Sequence, residues 1–339
     1  MRVTSLNVAG VAAALAVPLA FGAVDASRAR ASAEATSAAP RGAEDQPLVE
    51  ESERGPVVRD ARGRLVAVAP YRRVLFLSPV GARLGLELLE PDRIAGVPEY
   101  AATQGLARHR FASVVTLPDA PSLEAVLAAA PDLVVTHAGI APNWLDVLES
   151  RGVPVLDLGQ MTGAISYAHQ SRLLAAAAAV ASRGDRHAAT YLAGLNGLLR
   201  VRGGSPEATE TLRTAVYVGV VGDTMFGGTT GTSYHDVLVH AGLRDAAADS
   251  YTGWPQFDAG DLLAMDPDVV VVERGAGRQL CAIGALAALR ACRGQALVVE
   301  LDGDALHDPG AGIPIAAHAL RTALLAHGAT SAAGYTDQR

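Results

Sequence analysis

The sequence predicts an α/β protein of two similar lobes with parallel-type sheets, joined by a long helical segment and separated by a cleft. The main observation is a repeated phrase: LEAVLAAAPDLVVTH at 123–137 is echoed by AGDLLAMDPDVVVVE at 259–273. Each copy runs from a short apolar helix through Pro-Asp into branched aliphatic residues. In addition, strands alternate with helices in both halves, which is typical of parallel sheets buried on both faces.

Length and charge limit the classes of function. A chain of 339 residues is long enough for two lobes, and half of its residues are apolar. Its net charge is -7, and its basic residues form no cluster. Nucleic-acid and anionic-membrane binders need a clustered basic face, so neither class is expected.

The N-terminus has the composition of an export signal. Residues 1–33 contain one early Arg, an apolar run and then small residues that suit cleavage. A retained membrane anchor is the alternative, because the apolar run approaches the ~20 residues of a span. No Cys follows the run, so there is no lipobox. Residues 34–63 are small, charged and aperiodic, and they predict a disordered linker.

The N-terminal lobe is expected over residues 64–163. Buried-strand runs occur at 74–77, 133–136 and 153–159, residues 93–100 read as a strand and its loop, and helical spacing occurs at 83–91 and 122–130. The Ala- and Leu-rich residues 164–202 follow as an interlobe helical backbone, and Gly184 is expected to split it.

The C-terminal lobe is expected over residues 213–328, followed by a tail at 329–339. Strands are predicted at 214–222, 269–273 and 295–301, with helices at 233–243 and 259–265. The glycine-rich stretch 220–236 reads either as a ligand-approaching loop or as an ordinary loop between a strand and a helix.

The two cysteines, Cys281 and Cys292, favour a structural disulfide in an exported chain, with free thiols as the alternative. On one straight helix their sulfurs would lie ~16 Å apart, whereas a disulfide needs a Cα separation under ~7 Å. Pairing therefore requires the chain to turn at Gly284 or Gly294.

No catalytic signature is present: the sequence lacks GxSxG, HExxH and GxxxxGK[ST] motifs.

The predicted ligand site follows from the fold class, because ligands of open α/β sheets bind beyond the carboxyl ends of the strands. His137 and Glu273 end the two repeated strands, so both are expected to face the cleft. Aromatic residues in loops add a surface for a large flat ligand. The predicted ligand-binding residues are Ser78, Tyr100, His137, Trp144, Phe226, Tyr251, Trp254, Glu273, Arg274 and His307.

These motifs together resemble the helical-backbone class of periplasmic substrate-binding proteins, which supply iron–siderophores, haem or cobalamin to ABC importers. The resemblance covers about residues 70–328 and rests on RRVLFLSP, RIAGVPEY, the two Pro-Asp phrases, GTSYHDVLVHAGL and the interlobe segment. It implies a non-enzymatic, monomeric periplasmic receptor that has no cofactor or metal of its own and delivers a metal chelate to an inner-membrane permease.

The resemblance leaves the ligand open. Tyr100 and Trp254 match aromatic positions that cobalamin binders use, whereas His137 and Pro118 replace two others; Tyr100 also fits a haem binder. An iron–siderophore is the first expectation, with cobalamin or haem as the alternative. The family's acidic docking residue matches Glu124 in the N-lobe, and Asp258 or Asp261 stands beside the matching Gly260.

Two rivals use the same residues differently. A chelatase-like enzyme would need an acid–base pair, for which His137 and Glu273 are the candidates. A receptor for a bare metal ion would use His137, Glu273 and His307 as ligands.

Overall fold

The computed structural model describes residues 48–104, 106–138, 143–200 and 213–336. The predicted signal peptide and the first part of the predicted linker lie outside these residues. Within the described ranges, no helix combines the length and apolar character that crossing a membrane requires.

The end of the predicted linker is folded. Residues 48–67 form an antiparallel sheet of three strands, in the order β1 (Val49–Ser52), β2 (Gly55–Arg59) and β3 (Leu65–Ala67). Val58 and Val66 are buried, and the buried Asp60 carboxylate accepts hydrogen bonds from the backbone N–H groups of Arg62 and Arg64. The prediction of disorder was therefore wrong for residues 48–63, because charged residues at the exposed positions concealed the short strands.

The N-terminal lobe is a five-stranded parallel sheet in the order β6-β5-β4-β7-β8. Its strands are β4 (Val74–Phe76), β5 (Ile94–Pro98), β6 (Thr116–Leu117), β7 (Leu133–Thr136) and β8 (Val155–Asp157). Its helices are α1 (Pro79–Leu88), α2 (Glu99–Thr103), α3 (Leu123–Ala128) and α4 (Leu145–Ser150). Successive β4 residues face opposite layers, since Phe76 packs with α1 and Leu75 packs with α3 and α4.

The predicted interlobe backbone is two helices, α5 (Ala164–Ala177) and α6 (Ala181–Arg200), which pack against each other. The break falls at 178–180, where Ala179 has a φ of 58°, so the expectation that Gly184 breaks the helix was wrong. Gly184 lies inside α6, where a Cβ would stand 2.5 Å from the Ala175 Cβ and 2.9 Å from the Ser171 carbonyl oxygen. The absence of a side chain at Gly184 is what lets the two helices approach so closely.

Helix α6 packs against both lobes. Leu195 is buried in the core of the C-terminal lobe, and Tyr191 packs against the cores of both lobes. The Tyr191 hydroxyl also donates to the Gly310 carbonyl at 2.9 Å. By contrast, α5 contributes Leu173 and Leu174 to the N-terminal core.

The C-terminal lobe has a mixed six-stranded sheet in the order β12-β10-β9-β13-β14, with β11 beside β9. Its strands are β9 (Thr214–Val221), β10 (Thr224–Gly227), β11 (Arg244–Asp245), β12 (Gln256–Phe257), β13 (Val269–Glu273) and β14 (Leu297–Leu301). Its helices are α7 (Ser233–His240), α8 (Ala259–Met265), α9 (Ala276–Ala282), α10 (Gly303–Leu306) and α11 (Gly312–Thr336). Helix α11 continues through most of the segment predicted as a tail.

Two strands of this sheet are antiparallel and come from segments predicted as loops. β10 pairs antiparallel with β9, and β12 pairs antiparallel with β10. The glycine-rich stretch therefore begins with a hairpin that turns at Gly222, whose φ is 60°. The predicted continuous loop between β9 and α7 was wrong over residues 224–227.

The repeated phrase forms the same local structure in both lobes. Ser122 caps α3 by accepting from the Ala125 N–H, and Asp258 caps α8 by accepting from the Asp261 N–H. Each helix is followed by a non-glycine residue with positive φ, Ala130 at 44° and Asp266 at 32°.

The aspartates of the two Pro-Asp pairs hold neighbouring strands together. The Asp132 carboxylate accepts from the Arg72 and Arg73 N–H groups at 2.6 and 2.8 Å, just before β4. The Asp268 carboxylate accepts from the Thr214 N–H at 2.9 Å, where β9 begins. Each aspartate thereby joins the start of the repeated strand to the start of the central strand beside it.

Cys281 and Cys292 form a disulfide with a Cα separation of 5.2 Å. Helix α9 ends at Ala282, and a 3₁₀ helix over Gly284–Ala288 returns the chain toward Cys292. The expected turn at Gly284 is confirmed.

Replacing Gly184 with Ala tests the close contact between α5 and α6. We expect Gly184→Ala to lower the free energy of unfolding by about 1–3 kcal/mol, because the added methyl group overpacks a backbone contact. Gly194→Ala is the matched control, since that glycine lies exposed in the same helix with nothing within 4 Å of its added Cβ. The control should raise stability by about 0.5–1 kcal/mol through helix propensity. Urea unfolding of both variants measures the difference, and equal stabilisation by both substitutions would contradict the packing argument.

Candidate ligand cleft

A cavity of about 430 Å³ lies between the two lobes, within the size range of small-molecule sites. Its N-terminal wall comes from α1, α2 and the 3₁₀ helix Arg108–Phe111. Its C-terminal wall comes from the end of β13 and from residues 302–309, which surround α10. The cavity therefore lies beyond the carboxyl ends of strands, where the sequence predicted it.

Three predicted site residues, Tyr100, Glu273 and His307, line this cavity. The start of α2 places Tyr100, whose backbone N–H donates to the Asp119 carboxylate at 2.8 Å. Glu273 ends β13 and accepts from His307 Nε2 across 3.3 Å if that nitrogen is protonated. A Cβ at Gly303 would stand 2.3 Å from Glu273 Oε1, so the glycine leaves room for the carboxylate.

Arg274 lies at the exposed edge of the cavity. Its guanidinium is 3.5 Å from the Asp302 carboxylate, and its side chain is 72% exposed. Asp302 lines the cavity, whereas Arg274 is absent from the described lining residues. The positive charge of Arg274, a predicted ligand-binding residue, is therefore partly offset by the Asp302 carboxylate.

An ion pair joins the two walls. Arg108 of the N-terminal lobe contacts Asp304 of the C-terminal lobe, with 2.6 Å between Nη1 and Oδ2. Both residues belong to the segments that line the cavity. Neither Arg108 nor Asp304 was predicted as a site residue. The segment after β14, DGDALHDPG, nevertheless contains three aspartates at the carboxyl end of a strand, where ligands were expected.

Carboxylates determine the electrostatics of the cavity. The pKa of Tyr100 is raised, first by burial and then by Asp304 and Glu273. The pKa of Asp308 is also raised, mainly by burial, while Arg83 opposes that shift. Burial and these carboxylates both favour the neutral form of the Tyr100 hydroxyl.

His137 is not among the described residues that line the cavity. Burial lowers its pKa, while the nearby Asp157 raises it. His137 follows β7 as Glu273 ends β13, and a ligand contact by His137 stays a prediction.

Two other predicted residues have packing roles. Ser78 is fully buried, and its hydroxyl caps α1 by accepting from the Gly81 N–H at 3.0 Å. Trp144 precedes α4 and packs on the core layer formed with α3. The Ser78 hydroxyl is thus engaged in the helix cap, and a ligand contact by Ser78 stays a prediction. A ligand contact by Trp144 stays a prediction.

Trp254 is 53% exposed and rests edge-on against Tyr234, with 5.1 Å between ring centroids. Tyr234 in turn stacks on Tyr217 at 3.8 Å. Phe226 lies on β10 and is 36% exposed. Neither Trp254 nor Phe226 is among the described residues lining the cavity, so their contact with a ligand stays a prediction.

Tyr251 packs edge-on against Phe257, and its hydroxyl donates to the Asp261 carboxylate at 2.6 Å. It supports α8 and is absent from the described cavity lining. The same Asp261 carboxylate accepts from the Asp258 N–H at 2.8 Å, and the Tyr251 hydrogen bond lowers the pKa of Asp261. Asp261 therefore keeps its negative charge while it braces the helix.

Among the described residues, no group of three or more His, Cys, Asp or Glu side chains is arranged to hold a metal ion. The bare-ion receptor and the chelatase-like enzyme both needed His137 close to Glu273. Because His137 does not line the cavity, the described geometry supports neither alternative.

Residues 74–282 match the family model described as periplasmic binding protein. The chain belongs to this family. It is similar to the cobalamin-binding protein of Halobacterium salinarum, with 27% identity over 226 residues, or 64% of this chain and 58% of that protein. The vitamin B12-binding protein of Salmonella typhimurium is 27% identical over 213 residues, or 61% of this chain and 74% of that protein. Both relatives are named for binding, and family membership indicates a periplasmic location.

Solved structures share the two-lobed fold. The periplasmic haem-binding protein of Vibrio cholerae matches with a TM-score of 0.62 at 18% identity, covering 74% of this chain and 98% of that one. The periplasmic vitamin B12-binding protein of Vibrio cholerae matches with a TM-score of 0.57 at 19% identity, covering 75% and 96%. At these identities the matches show the fold alone.

A buried carboxylate orders the glycine-rich segment near the start of α7. Asp245 accepts from the Thr229 hydroxyl at 2.6 Å and contacts His235 Nδ1 at 2.9 Å. The hydrogen bond to Asp245 raises the pKa of His235, although burial opposes the shift. Protonated His235 thus stabilises the folded segment.

We expect the contribution of His235 to the free energy of unfolding to decrease as pH rises from about 6 to 8. His235 has a higher pKa when folded than when unfolded, so its contribution is complete below the unfolded value of about 6.5 and is lost as pH rises through the folded value. Urea unfolding of the native chain and of His235→Gln at both pH values isolates this contribution. His235→Gln should lower the free energy of unfolding more at pH 6 than at pH 8, whereas His318→Gln, at an exposed position on α11, should show no such difference. An equal loss at both pH values in His235→Gln would contradict the assignment.

Proposed function

We propose that this chain is the exported substrate-binding protein of an ABC importer and that it captures a metal chelate of the siderophore, corrinoid or haem type in the interlobe cavity. The observation that carries the proposal is the cavity itself, which combines Tyr100 and an apolar wall from one lobe with polar residues from the other. Family membership and the named binding activities of the relatives support the same class.

In this proposal the protein acts by binding and delivery, without catalysis or a cofactor of its own. The chelator satisfies the metal, so the protein needs no protein ligand for it. Tyr100 offers a flat contact, and Gln104 offers an amide that can donate or accept hydrogen bonds. Trp254 extends the aromatic surface on the C-terminal lobe. The N-terminal segment is proposed to direct export without lipid attachment, and the receptor is proposed to act as a monomer.

Purification of the mature chain from cells grown with a mixed chelate supply tests the proposal. An absorption spectrum and a bound mass distinguish a corrinoid, a haem and a ferric siderophore from one another. A chelate bound at a one-to-one molar ratio to the protein supports the proposal. Failure to retain or bind any such chelate contradicts it, and chemical turnover of a tetrapyrrole would favour an enzyme instead.

We expect Tyr100→Ala to weaken chelate binding about tenfold, the loss that removal of one aromatic contact of about 1.4 kcal/mol causes. Leu65→Ala is the control, because Leu65 is 52% exposed on β3 and does not line the cavity. Fluorescence titration with the co-purified chelate measures both dissociation constants. Equal affinity in both variants would place the ligand elsewhere.

We also propose that an importer permease contacts the first turns of α3 and α8, which the repeated phrase makes equivalent. Glu124 is exposed in the first turn of α3. In α8 the equivalent position is Gly260, so the nearby Asp261 supplies the charge. Asp261 is already engaged by Tyr251, which makes Glu124 the more accessible carboxylate.

Reversal of charge at Glu124 separates delivery from capture. We expect Glu124→Arg to reduce uptake of labelled chelate at least tenfold in cells where the variant replaces the native chain, because the permease would meet a repelling charge. Its affinity for the chelate in solution should not change. Glu51→Arg, at an exposed position on β1, is the control and should transport normally. Normal uptake by Glu124→Arg would exclude this docking role.

A further inference from the structure

We infer that the cleft selects a neutral or cationic chelate with hydrogen-bond donors on its edge and rejects chelates that carry exposed anionic groups. The inference rests on the proposed function and refines its ligand class. It is carried by the contrast between the two walls of the cavity.

The N-terminal wall is mostly apolar. Pro79, Val80, Leu106, Ala107 and Phe111 line it together with Tyr100. Such a wall suits the flat, apolar part of a ligand, since burial of apolar surface is favourable and non-directional. Its polar lining residues are Gln104 and Arg83, and the Arg83 guanidinium lies 3.4 Å from the Glu87 carboxylate.

The C-terminal wall is acidic. Glu273, Asp302, Asp304 and Asp308 all line it. Carboxylates accept hydrogen bonds and donate none when ionised, so this wall is complementary to N–H groups or to positive charge. A carboxylate or catecholate on the ligand would face like charge and lose its hydration without gaining a partner.

The cations near the cavity offset this wall only in part. The sequence contains no lysine, so every fixed positive side-chain charge is an arginine. Each of the three arginines near the cavity lies close to a carboxylate: Arg83 is 3.4 Å from Glu87, Arg108 is 2.6 Å from Asp304, and Arg274 is 3.5 Å from Asp302. Glu273 faces His307, and Asp308 is held by the Gly310 N–H at 3.2 Å. The carboxylates around the cavity thus outnumber the arginines.

Burial is the main cause of the raised pKa of Tyr100, and Asp304, Glu273 and Asp308 add to it because they oppose negative charge on the hydroxyl. Tyr100 also stands where the two walls meet in the lining. The same field that disfavours a phenolate there disfavours an anionic ligand group in its place.

A panel of chelates with different charges tests the inference. The probes are cyanocobalamin, which is neutral overall, haemin with its two carboxylates, a triply negative ferric tris-catecholate, and a ferric trihydroxamate with a free ammonium group. We expect the full-length mature chain to bind the neutral or the cationic probe at least tenfold more tightly than either anionic probe. Isothermal titration at two salt concentrations measures the affinities.

Neutralisation of one carboxylate should shift the preference. We expect Glu273→Gln and Asp302→Asn each to raise the affinity for the anionic probes relative to cyanocobalamin by about fivefold, the effect of one unit charge at contact distance in a water-like dielectric. Asp249→Asn is the matched control, because it removes the same charge from an exposed side chain that pairs with Arg244 and does not line the cavity. The control should leave the ratio unchanged.

The outcomes distinguish the two levels of the proposal. Tight binding of an anionic probe, with a ratio that neither variant changes, would overturn the charge preference and leave the receptor function intact. Failure of every probe to bind would overturn both.

Discussion

Helix α6 fixes the two lobes relative to each other because it is packed into both hydrophobic cores. Gly184 lets the helix lie tightly on α5 and so on the N-terminal lobe, while Leu195 is buried in the C-terminal core. Tyr191 bonds the Gly310 carbonyl, and Arg321 of α11 bonds the Leu198 carbonyl. The width of the cleft follows from this packing. A helix that packs against both lobes is expected to allow smaller movements between them than flexible strands would.

The repeated phrase explains why the lobes are alike and also where they differ. Asp132 and Asp268 perform the same task, each joining a repeated strand to its central neighbour. The residues at the ends of the two repeated strands have different surroundings. Glu273 emerges over Gly303 into the cavity, whereas His137 stays half-buried near Asp157. The duplicated fold therefore places the two strand ends alike, while among the described residues only Glu273 of the two lines the cavity.

Much of the fold could be predicted from the sequence because buried strands and capped helices have local signals. β7, β13, α8 and the disulfide were predicted correctly from apolar runs and spacing.

The errors arose where a contact distant in sequence decides the local structure. Gly184 looked like a helix breaker, yet its role comes from Ala175 and Ser171 on the preceding helix. The strand at 224–227 was not predicted, because its glycines favour a loop and its pairing with β12 depends on residues about 30 positions away. Ser78 was predicted to contact the ligand, whereas in the structure its hydroxyl caps α1. The acidic wall was not predicted, because the sequence does not show that Asp304 contacts the other lobe.

The central claim is that one chelate contacts both lobes in the cavity between α2 and α10. A crystal structure of the protein with bound cyanocobalamin, with the cobalt located by its anomalous scattering, tests this most directly. The account predicts a single cobalt peak between the lobes, with the corrin edge near Tyr100 on one side and residues 302–308 on the other. A chelate held by one lobe alone, or on the outer surface of α6, would contradict it.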